Sequence, residues 1–419
     1  MTAAPIAFQS AVGRYAFEGV AQLLNCYAEK RDPDAKAPLS VLPSDGLIEF
    51  VDEAASPCRG MIYLADLDKA YSVHSSSVYR ITFNGSTATA TRIGTIPGTD
   101  PVQLSRNQNA SPQVIVRSDA GVQIIASDAV SFVTDTDLPA DVVTADVVSN
   151  YAVYGEEDQT FTISGINDAN TIDAADFGNF AQKAGKLVRI MENGGQLFGF
   201  NDQLFEVWRD TGNADFPFEP LTFKPYGLLS DNALVKCAGT LLFPAHDGIV
   251  YRLNGYEPTR ISNHHIDRLI QADTAQDELL GFSWVKGGHA FINFTGSTWS
   301  RCFDAATQVW HSRQSYGQDT WRARYSIQAW GRTIVGDRLS GKLFYLDSDT
   351  YTEDGGTMIW GVDSPPLHVF PNGGIVDALH LDILTGQGLL TGQGSNPLIM
   401  LQTSTDGGNT FGNYRELEL

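Results

Sequence analysis

The chain has 419 residues, with 49 acidic and 28 basic side chains and a formal net charge of -21. This balance disfavours a protein that grips nucleic acid by its phosphates, because such binding needs a basic patch, but it permits a protein that surrounds DNA without holding it. Charged residues make up only 18% of the chain and hydrophobic residues 42%, so the composition indicates a folded protein.

The first 60 residues differ from the rest of the chain and are predicted to form an irregular N-terminal arm. Residues 16–28 fit either a partly helical or an extended segment, and residues 30–43 are polar and contain proline. The first five residues lack the basic region and apolar run of a secretory signal. No run of 18 apolar residues occurs, so the sequence predicts no membrane span.

Two segments far apart in the chain carry the same hairpin pattern. Val-Tyr-Arg at positions 78–80 and again at 250–252 is followed by an aliphatic residue, an Asn-Gly turn and a returning Thr-Arg-Ile strand. Weaker alternating segments occur at residues 159–163, 204–208 and 342–346. Recurrent hairpins with uneven spacing are typical of stacked blades that carry insertions.

Helical signals are sparse. Ser262 is predicted to cap a short helix that places Ile266, Leu269 and Ile270 on one face. Residues 173–184 are predicted, on a weaker pattern, to hold a second helix.

The four cysteines are expected to be buried free thiols in a reducing compartment. They form no CxxC pair, and no histidine lies at zinc-binding spacing from any of Cys26, Cys58, Cys237 and Cys302.

Residues 404–411, Ser-Thr-Asp-Gly-Gly-Asn-Thr-Phe, match the Asp-box pattern S-x-D-x-G-x-T-aromatic. In this β-hairpin tip Ser404 and Asp406 are expected to satisfy backbone amides, and Gly407 and Gly408 to allow positive φ. The ring of Phe411 is expected to enter a core. Such hairpins recur in β-propeller blades, so the motif indicates an architecture rather than an active site.

These patterns, together with 40 glycines and an aromatic content of 11%, predict an all-β fold. We expect a distorted β-propeller of about six or seven blades, with the N-terminal arm over residues 1–60 and few short helices. The propeller-like domain is predicted to cover residues 61–419, with room for an inserted or peripheral β subdomain. The final blade is expected to be completed by the N-terminal part or by residues outside this sequence.

Asp boxes are also common in sialidases, so a glycan-binding or glycan-hydrolysing propeller is the alternative. The arginine-rich candidate is the segment 321–325, Trp-Arg-Ala-Arg-Tyr, on a predicted strand. Alternation places Arg322 and Arg324 on one face, which favours a solvated strand face or a subunit contact over catalysis. We expect no enzymatic activity, because no nucleophile–base pair or phosphate loop is visible.

Other polar residues are predicted to be structural. His264 and His265 point about 100° apart in a helix and cannot easily share a metal, which favours a surface or interface role. The aspartates of two DxD pairs lack the EF-hand pattern and are expected to be loop carboxylates, with a weak cation site as the alternative: Asp66, Asp68, Asp135 and Asp137. Core packing is the expected role of Trp208, Trp299, Trp310 and Trp321. The sequence therefore predicts no catalytic, cofactor-binding or metal site.

Several short segments, taken in order, carry a resemblance. In the N-terminal part they are NCYAE at 25–29 and APL to PSDGL at 37–47, where Asp45 replaces the usual proline. The middle of the chain contributes the block from 198 to 218 and the segments 247–255 and 260–262. The rest are Gly-His at 288–289, Thr-Trp at 298–299, Trp-His at 310–311, Trp-Arg at 321–322, the segment 336–344 and the Asp box. In this order they resemble the packaged-DNA stabilization proteins of short-tailed (podovirus) bacteriophages, also called tail hub or nozzle proteins. The similarity covers nearly the whole chain.

This resemblance implies a structural virion protein of the phage tail, assembled in the host cytoplasm. It implies a homo-hexameric ring below the portal and its adaptor, which retains packaged DNA and forms part of the ejection channel. The implied partners are the portal adaptor, tail needle, tailspike or fibre proteins, and double-stranded DNA. The acidic balance adds an expectation of our own: DNA should pass through such a ring without tight binding.

Overall fold

The computed structural model describes residues 6–15, 18–32, 34, 38–52, 56–366, 378–383, 398–406, 408 and 410–418. Strands dominate this part of the chain, which contains a single α-helix, α1 (His264–Ala272). No helix among these residues is long and apolar enough to cross a bilayer.

Five strands precede the first complete sheet: β1 (Ala11–Val12), β2 (Val20–Leu24), β3 (Cys26–Lys30), β4 (Leu39–Pro43) and β5 (Gly46–Asp52). β3 and β4 form an antiparallel hairpin. The segment predicted at 16–28 is therefore extended from Val20 onward, while residues 16 and 17 lie outside the described residues.

Seven sheets, which we call blades 1–7, then follow in chain order within the described residues. Blade 1 contains β6 (Cys58–Leu64), β7 (Lys69–His74), β8 (Ser77–Phe83) and β9 (Ala88–Thr95). Blade 2 contains β10 (Gln103–Arg106), β11 (Val114–Ser118), β12 (Gly121–Ala126) and β13 (Ala129–Phe132). Blade 3 contains β14 (Val142–Val148), β15 (Tyr151–Glu156), β16 (Thr160–Gly165) and β17 (Asp168–Asn179).

The remaining blades repeat this four-strand plan. Blade 4 contains β18 (Leu187–Asn193), β19 (Gln196–Asn201), β20 (Phe205–Asp210) and β21 (Phe218–Lys224). Blade 5 contains β22 (Val235–Cys237), β23 (Thr240–Pro244), β24 (Val250–Asn254) and β25 (Glu257–Arg260). Blade 6 contains β26 (Leu280–Lys286), β27 (His289–Thr295), β28 (Ser300–Asp304) and β29 (Val309–Ser312). Blade 7 contains β30 (Ala323–Ala329), β31 (Arg332–Asp337) and β32 (Lys342–Asp347), and its fourth strand is β5.

Short elements connect and extend these sheets. Two 3-10 helices cover Asp231–Ala233 and Gln276–Glu278. β33 (Thr352–Glu353) and β34 (Gly356–Thr357) extend blade 7, and β35 (Gly361–Asp363) pairs with β2 beside blade 6. β36 (Leu398–Leu401) and β37 (Arg415–Glu418) form a two-stranded sheet of their own.

The blades form a closed ring. The innermost strand of blade 7, β30, contacts both β26 of blade 6 and β6 of blade 1. A hydrophobic core lies between each pair of neighbouring blades, including blades 7 and 1, where Ile334 and Leu343 pack with Cys58 and Ile81. The all-β propeller expected from the sequence is confirmed.

The N-terminal part completes the last blade. β5 pairs antiparallel with β32, from Gly46 opposite Asp347 to Asp52 opposite Lys342. Of the two expected ways to finish the final blade, the first is therefore correct. The domain division at residue 60 stays a prediction.

The hairpin patterns correspond to equivalent strands of the ring. The two Val-Tyr-Arg segments lie on β8 and β24, and the weaker segments fall largely on β16, β20 and β32. All five are the third strands of their blades, so the repeat seen in the sequence is the blade repeat.

Two helix expectations need correction. The N-cap of α1 is Asn263, whose side chain accepts hydrogen bonds from the backbone N–H groups of His265 and Ile266, both at 3.0 Å. Ser262 instead donates to Asp267 at 2.5 Å. The helix predicted at 173–184 is wrong, because most of that segment belongs to β17, where pairing with β16 outweighs a weak helical pattern.

The cysteines are buried, as expected. None of Cys26, Cys58, Cys237 and Cys302 forms a disulfide. Burial raises the pKa of the Cys26 thiol to about 12, so this group is unreactive at neutral pH.

Asp128 joins blade 1 to blade 2. From the β12–β13 turn its carboxylate accepts hydrogen bonds from Lys69 at 2.7 Å, Tyr71 at 2.6 Å and Arg80 at 2.9 Å. Burial alone would raise the pKa of Asp128, but these three donors outweigh burial and lower it to about 2. The ionised carboxylate therefore stabilises contact between the two blades.

Replacing Leu47 by alanine should weaken the ring closure. Leu47 is 1% exposed on β5 and packs in the core between blades 6 and 7. We expect Leu47→Ala to cost about 2–4 kcal/mol of unfolding free energy, since a buried leucine leaves a cavity. Urea unfolding followed by tryptophan fluorescence measures this loss. The control is Leu67→Ala, where the leucine is 42% exposed; equal losses for the two variants would contradict the closure role of Leu47.

The Asp128 contact should depend on pH. Because the pKa is lowered on folding from 3.8 to about 2, the stabilisation is complete above about pH 5 and declines as the pH falls through that range. We expect Asp128→Asn to lose about 1–2 kcal/mol at pH 7, with the deficit shrinking below pH 4. Thermal unfolding of both proteins at pH 7, 5 and 3 tests this.

The control for Asp128 is Asp137→Asn, which removes an exposed loop carboxylate that has no ion pair among the described residues. A deficit of Asp128→Asn that stays constant down to pH 3, or that Asp137→Asn matches, would contradict the assignment.

Candidate functional site

The Asp box folds locally as expected but lies outside the blades. Asp406 accepts hydrogen bonds from the Thr410 backbone N–H at 2.9 Å and its hydroxyl at 2.6 Å, and Ser404 accepts from the Gly408 N–H at 2.8 Å. Gly408 has a φ of 93°, while Gly407 lies outside the described residues. The box joins β36 to β37, and Phe411 is 46% exposed, so the expected burial of its ring is wrong. A two-stranded sheet offers the ring no core to enter.

The arginine-rich segment does not form the expected solvated face. Arg322 is largely buried and donates to Asp337 at 3.1 and 2.6 Å, and its guanidinium lies over the ring of Phe344. Asp337 is fully buried. The pair therefore stabilises blade 7, and the expected solvation of Arg322 failed because the buried carboxylate of Asp337 binds its guanidinium group.

The remaining candidates have structural partners. His264 is exposed, while burial lowers the pKa of His265 to about 4. Asp66 pairs with Arg106, and Asp135 accepts from the backbone N–H of Ile172 at 3.0 Å. Asp68 accepts from the Tyr63 hydroxyl at 2.9 Å, and Asp137 lies in an exposed loop. Among the residues described, no three His, Cys, Asp or Glu side chains could hold a metal ion. The expected core role of Trp208, Trp299, Trp310 and Trp321 agrees with their burial.

A cluster of polar side chains lies where the blades meet at the axis of the ring. Its members come from blades 2, 3, 4 and 7 and from the short helix before blade 5. We call the following residues the axial cluster: Gln103, Arg117, Thr144, Arg189, Asp231, Arg324 and Tyr325.

Hydrogen bonds link several of these residues to one another. The Gln103 side chain accepts from Thr144 Oγ1 at 2.9 Å and donates to Asp231 Oδ2 at 3.5 Å. Thr144 Oγ1 accepts in turn from the backbone N–H of Ile190 at 3.1 Å. Because Gln103 belongs to blade 2 and Asp231 precedes blade 5, their hydrogen bond crosses the axis.

Three arginine side chains belong to the same region. Arg117 Nε donates to the carbonyl of Val142, at the start of β14, at 3.3 Å. Arg189 precedes Ile190, whose backbone N–H donates to Thr144 of β14. Arg324 Nη2 donates to the Tyr325 hydroxyl at 3.2 Å. The Nε atoms of Arg189 and Arg324 are buried and have no hydrogen-bond partner among the described residues.

The backbone conformation of Tyr325 directs its side chain toward the axis. This residue occupies the bulge in β30 with a φ of 56°, in the left-handed region that aromatic residues rarely adopt. Bulges redirect side chains, and backbone strain of this kind is concentrated at functional sites.

Electrostatic interactions agree with the closeness of these groups. Burial lowers the pKa of Arg189, the charges of Asp231 and Asp146 oppose this effect, and the charge of Arg117 reinforces it. Burial also lowers the pKa of Arg117, again opposed by Asp231. Burial raises the pKa of Tyr325, whose hydroxyl also responds to the charge of Asp231. The cluster is thus a confined site in which cations outnumber the single carboxylate of Asp231.

No motif in the sequence predicts the axial cluster. Its members are scattered over more than 200 residues, so no spacing unites them. A weak signal was present, because Arg117 and Arg189 each interrupt an apolar strand in an acidic chain. Charged residues at such positions are rarely buried without a partner.

The second candidate surface consists of the terminal segments. Among the residues that the structure describes, more than half of the exposed large apolar side chains lie in residues 6–15 and 351–417. Tyr351 and Trp360 form an edge-to-face pair with ring centroids 5.2 Å apart, although 55% and 42% of these residues are exposed. Gly408 of the Asp box lies against Val20, so the C-terminal segment contacts β2. Clustered exposure of this kind is typical of protein interaction sites.

Comparison with solved structures finds matches at low similarity. The crystal structure of the WD40 beta propeller domain of Doa1 aligns with 73% of this chain and 98% of its own, at 10% identity and a TM-score of 0.46. The computationally designed Ika8 protein aligns with 74% of this chain and 92% of its own, at 11% identity and a TM-score of 0.42. YCF48 bound to D1 peptide aligns with 73% and 96%, at 11% identity and a TM-score of 0.42. Likenesses of this size say nothing about function.

The family relationship is informative. No curated protein sequence matches this chain. The model of the Phage_stabilise family, described as bacteriophage P22 Gp10, beta-propeller, matches residues 25–351. Because the match covers well over half of the chain and coincides with the blades, this protein belongs to the Phage_stabilise family of bacteriophage β-propeller proteins.

Proposed function

We propose that this protein is a structural tail hub, or nozzle, of a short-tailed bacteriophage. Six copies form a ring below the portal and its adaptor, and this ring helps to retain packaged DNA and forms part of the ejection channel. The observation that carries the proposal is the family match over residues 25–351, which makes the chain a phage structural propeller. The protein acts by assembly rather than by catalysis.

DNA would pass between protomers, because the axis of a single propeller is closed to it. The hydrogen bond between Gln103 and Asp231 crosses that axis at 3.5 Å, and a duplex is far wider than the space that remains. The channel must therefore be formed by the ring of six copies.

The charge of the chain suits a channel that does not adhere to DNA. Each copy carries a formal charge of -21, so six copies repel phosphates over distances comparable to the Debye length. DNA can then leave the head without being held by lysine or arginine contacts. Retention before ejection depends on protein contacts with the portal adaptor and with tail needle, tailspike or fibre proteins.

The exposed apolar side chains of the terminal segments are suited to contacts within the ring. In a single copy Tyr351 and Trp360 shield each other only in part. Covering such aromatic side chains provides a large share of the binding energy at protein interfaces. We assign this surface to contact with a neighbouring copy of the same chain.

A glycan-processing propeller is the weaker alternative. That hypothesis rested on the Asp box, which lies on the β36–β37 hairpin rather than in a blade. Ser404, Asp406 and Thr410 bond to one another and to the turn backbone, so these groups serve the turn. The family match favours the structural role.

Phage particles made without this protein should show its place in assembly. We expect filled heads that lose their DNA, rather than heads that fail to package, because the hub acts after packaging. Electron microscopy and nuclease sensitivity of purified particles measure this, and expression of the wild-type gene in trans is the control. Stable, infectious particles lacking the protein would disprove the hub assignment.

Substitution of Trp360 should reduce assembly without unfolding the protomer. Trp360→Ser removes an exposed aromatic side chain of the terminal segments, and we expect at least about a tenfold drop in incorporation into tails, as for an interface aromatic. Quantitative blotting of particles complemented with each variant measures incorporation. Phe177→Ser is the matched control, because Phe177 is 56% exposed on the outer strand of blade 3. Equal incorporation of both variants would place the ring contacts elsewhere.

A further inference from the structure

The axial cluster contains guanidinium groups that form no direct ion pair with any described carboxylate. No carboxylate oxygen among the described residues lies within 4.0 Å of the guanidinium nitrogens of Arg117, Arg189 or Arg324. The side chain of Arg189 makes no hydrogen bond to another described residue, and its Nε atom is buried. A guanidinium remains charged at any ordinary pH, and enclosing it without a counter-charge is costly.

The nearby carboxylate is already engaged. Asp231 accepts from its neighbour Asn232 at 2.5 Å and from Gln103 at 3.5 Å. The charges of Asp146, Asp119 and Asp100 also act on Arg189 or Arg117, but none of these carboxylates lies within 4.0 Å of either guanidinium group. A nearby arginine, Arg59, differs because it pairs with Asp119 at 3.2 Å and donates to four backbone carbonyl groups.

Tyr325 provides a donor that also lacks an acceptor. Its hydroxyl oxygen accepts a hydrogen bond from Arg324 Nη2, and an arginine side chain cannot accept one from the hydroxyl. The hydroxyl hydrogen is therefore available, and no described side chain receives it. The positive φ of Tyr325 holds this hydroxyl near the axis at a cost in backbone strain.

We propose that the axial cluster binds one small oxyanion, of the phosphate or sulfate class, between the guanidinium groups of Arg117 and Arg189 with the Tyr325 hydroxyl as a third donor. Planar guanidinium forks match the oxygen geometry of tetrahedral anions. Arg117, Arg189 and Tyr325 each keep part of their surface accessible, so the site is reachable by a small ion. The proposal does not depend on the tail-hub function.

The bound anion would link blades that are far apart in the chain. Arg117 belongs to blade 2, Arg189 to blade 4 and Tyr325 to blade 7. An anion held by all three would join them through the axis and so stabilise the ring. Binding should therefore raise the unfolding temperature in a saturable manner, as for any ligand specific to the folded state.

Isothermal titration calorimetry of the full chain with inorganic phosphate, and separately with sulfate, tests this at constant ionic strength set by chloride. We expect one site per chain, and at least a tenfold weaker affinity in Arg189→Met and Arg117→Met. Arg209→Met is the matched control, because Arg209 is an exposed arginine of blade 4 paired with Glu219. Tyr325→Phe, which keeps the ring and removes only the hydroxyl, should weaken binding several-fold.

Thermal unfolding separates specific binding from general salt effects. Sulfate and phosphate stabilise most folded proteins without saturation, so the unfolding temperature of every variant should rise steadily with their concentration. Only wild type and Arg209→Met should show an additional rise that saturates. Folding of the methionine variants is expected, because replacing an unbalanced buried charge by an apolar side chain is often neutral or stabilising. Absence of saturable binding in the wild type, or equal affinities in Arg189→Met and Arg209→Met, would overturn the proposal.

Discussion

The fold depends on one long-range pairing, that of β5 with β32. The two strands lie about 290 residues apart, yet they form adjacent strands of blade 7. Without β5, the edge of β32 would be unpaired and Leu47 would leave the core between blades 6 and 7. The entropic cost of closing so long a loop grows only slowly with its length, and seven cores between neighbouring blades offset it. The ring is therefore stable as a whole rather than blade by blade.

Buried charges specify this closure. Asp45, just before β5, pairs with Lys286 of blade 6. Arg313 is 2% exposed, donates to the carbonyl of Asp45 at 3.3 Å and lies 4.0 Å from the centroid of the Trp321 ring. Trp321 in turn donates to Glu353 at 3.0 Å. Because isolated buried ions are strongly unfavourable, a shifted register of the N-terminal segment would leave these charges unpaired.

The closed ring separates two kinds of surface. Inside, the axis is bridged and holds arginines from several blades, which suits a small ion and excludes a nucleic acid. Outside, the terminal segments place aromatic and aliphatic side chains in water beside blade 6 and next to β2. A protein whose role is assembly needs both features: a rigid ring and an apolar surface that neighbouring proteins can cover.

The sequence by itself determined the local elements. Alternation and Asn-Gly turns marked β8 and β24, because side chains alternate along a strand and Asn-Gly suits tight hairpins. The Asp box predicted its own turn for the same local reason. Failures occurred where distant pairing decided the outcome, as in β17, whose weak helical pattern gave way to a neighbouring strand. Only the tertiary structure decided that β5 closes blade 7, that the Asp box lies outside the blades, and that Arg117, Arg189 and Tyr325 meet. The physical reason is that these contacts join residues brought together by ring closure, which no local pattern encodes.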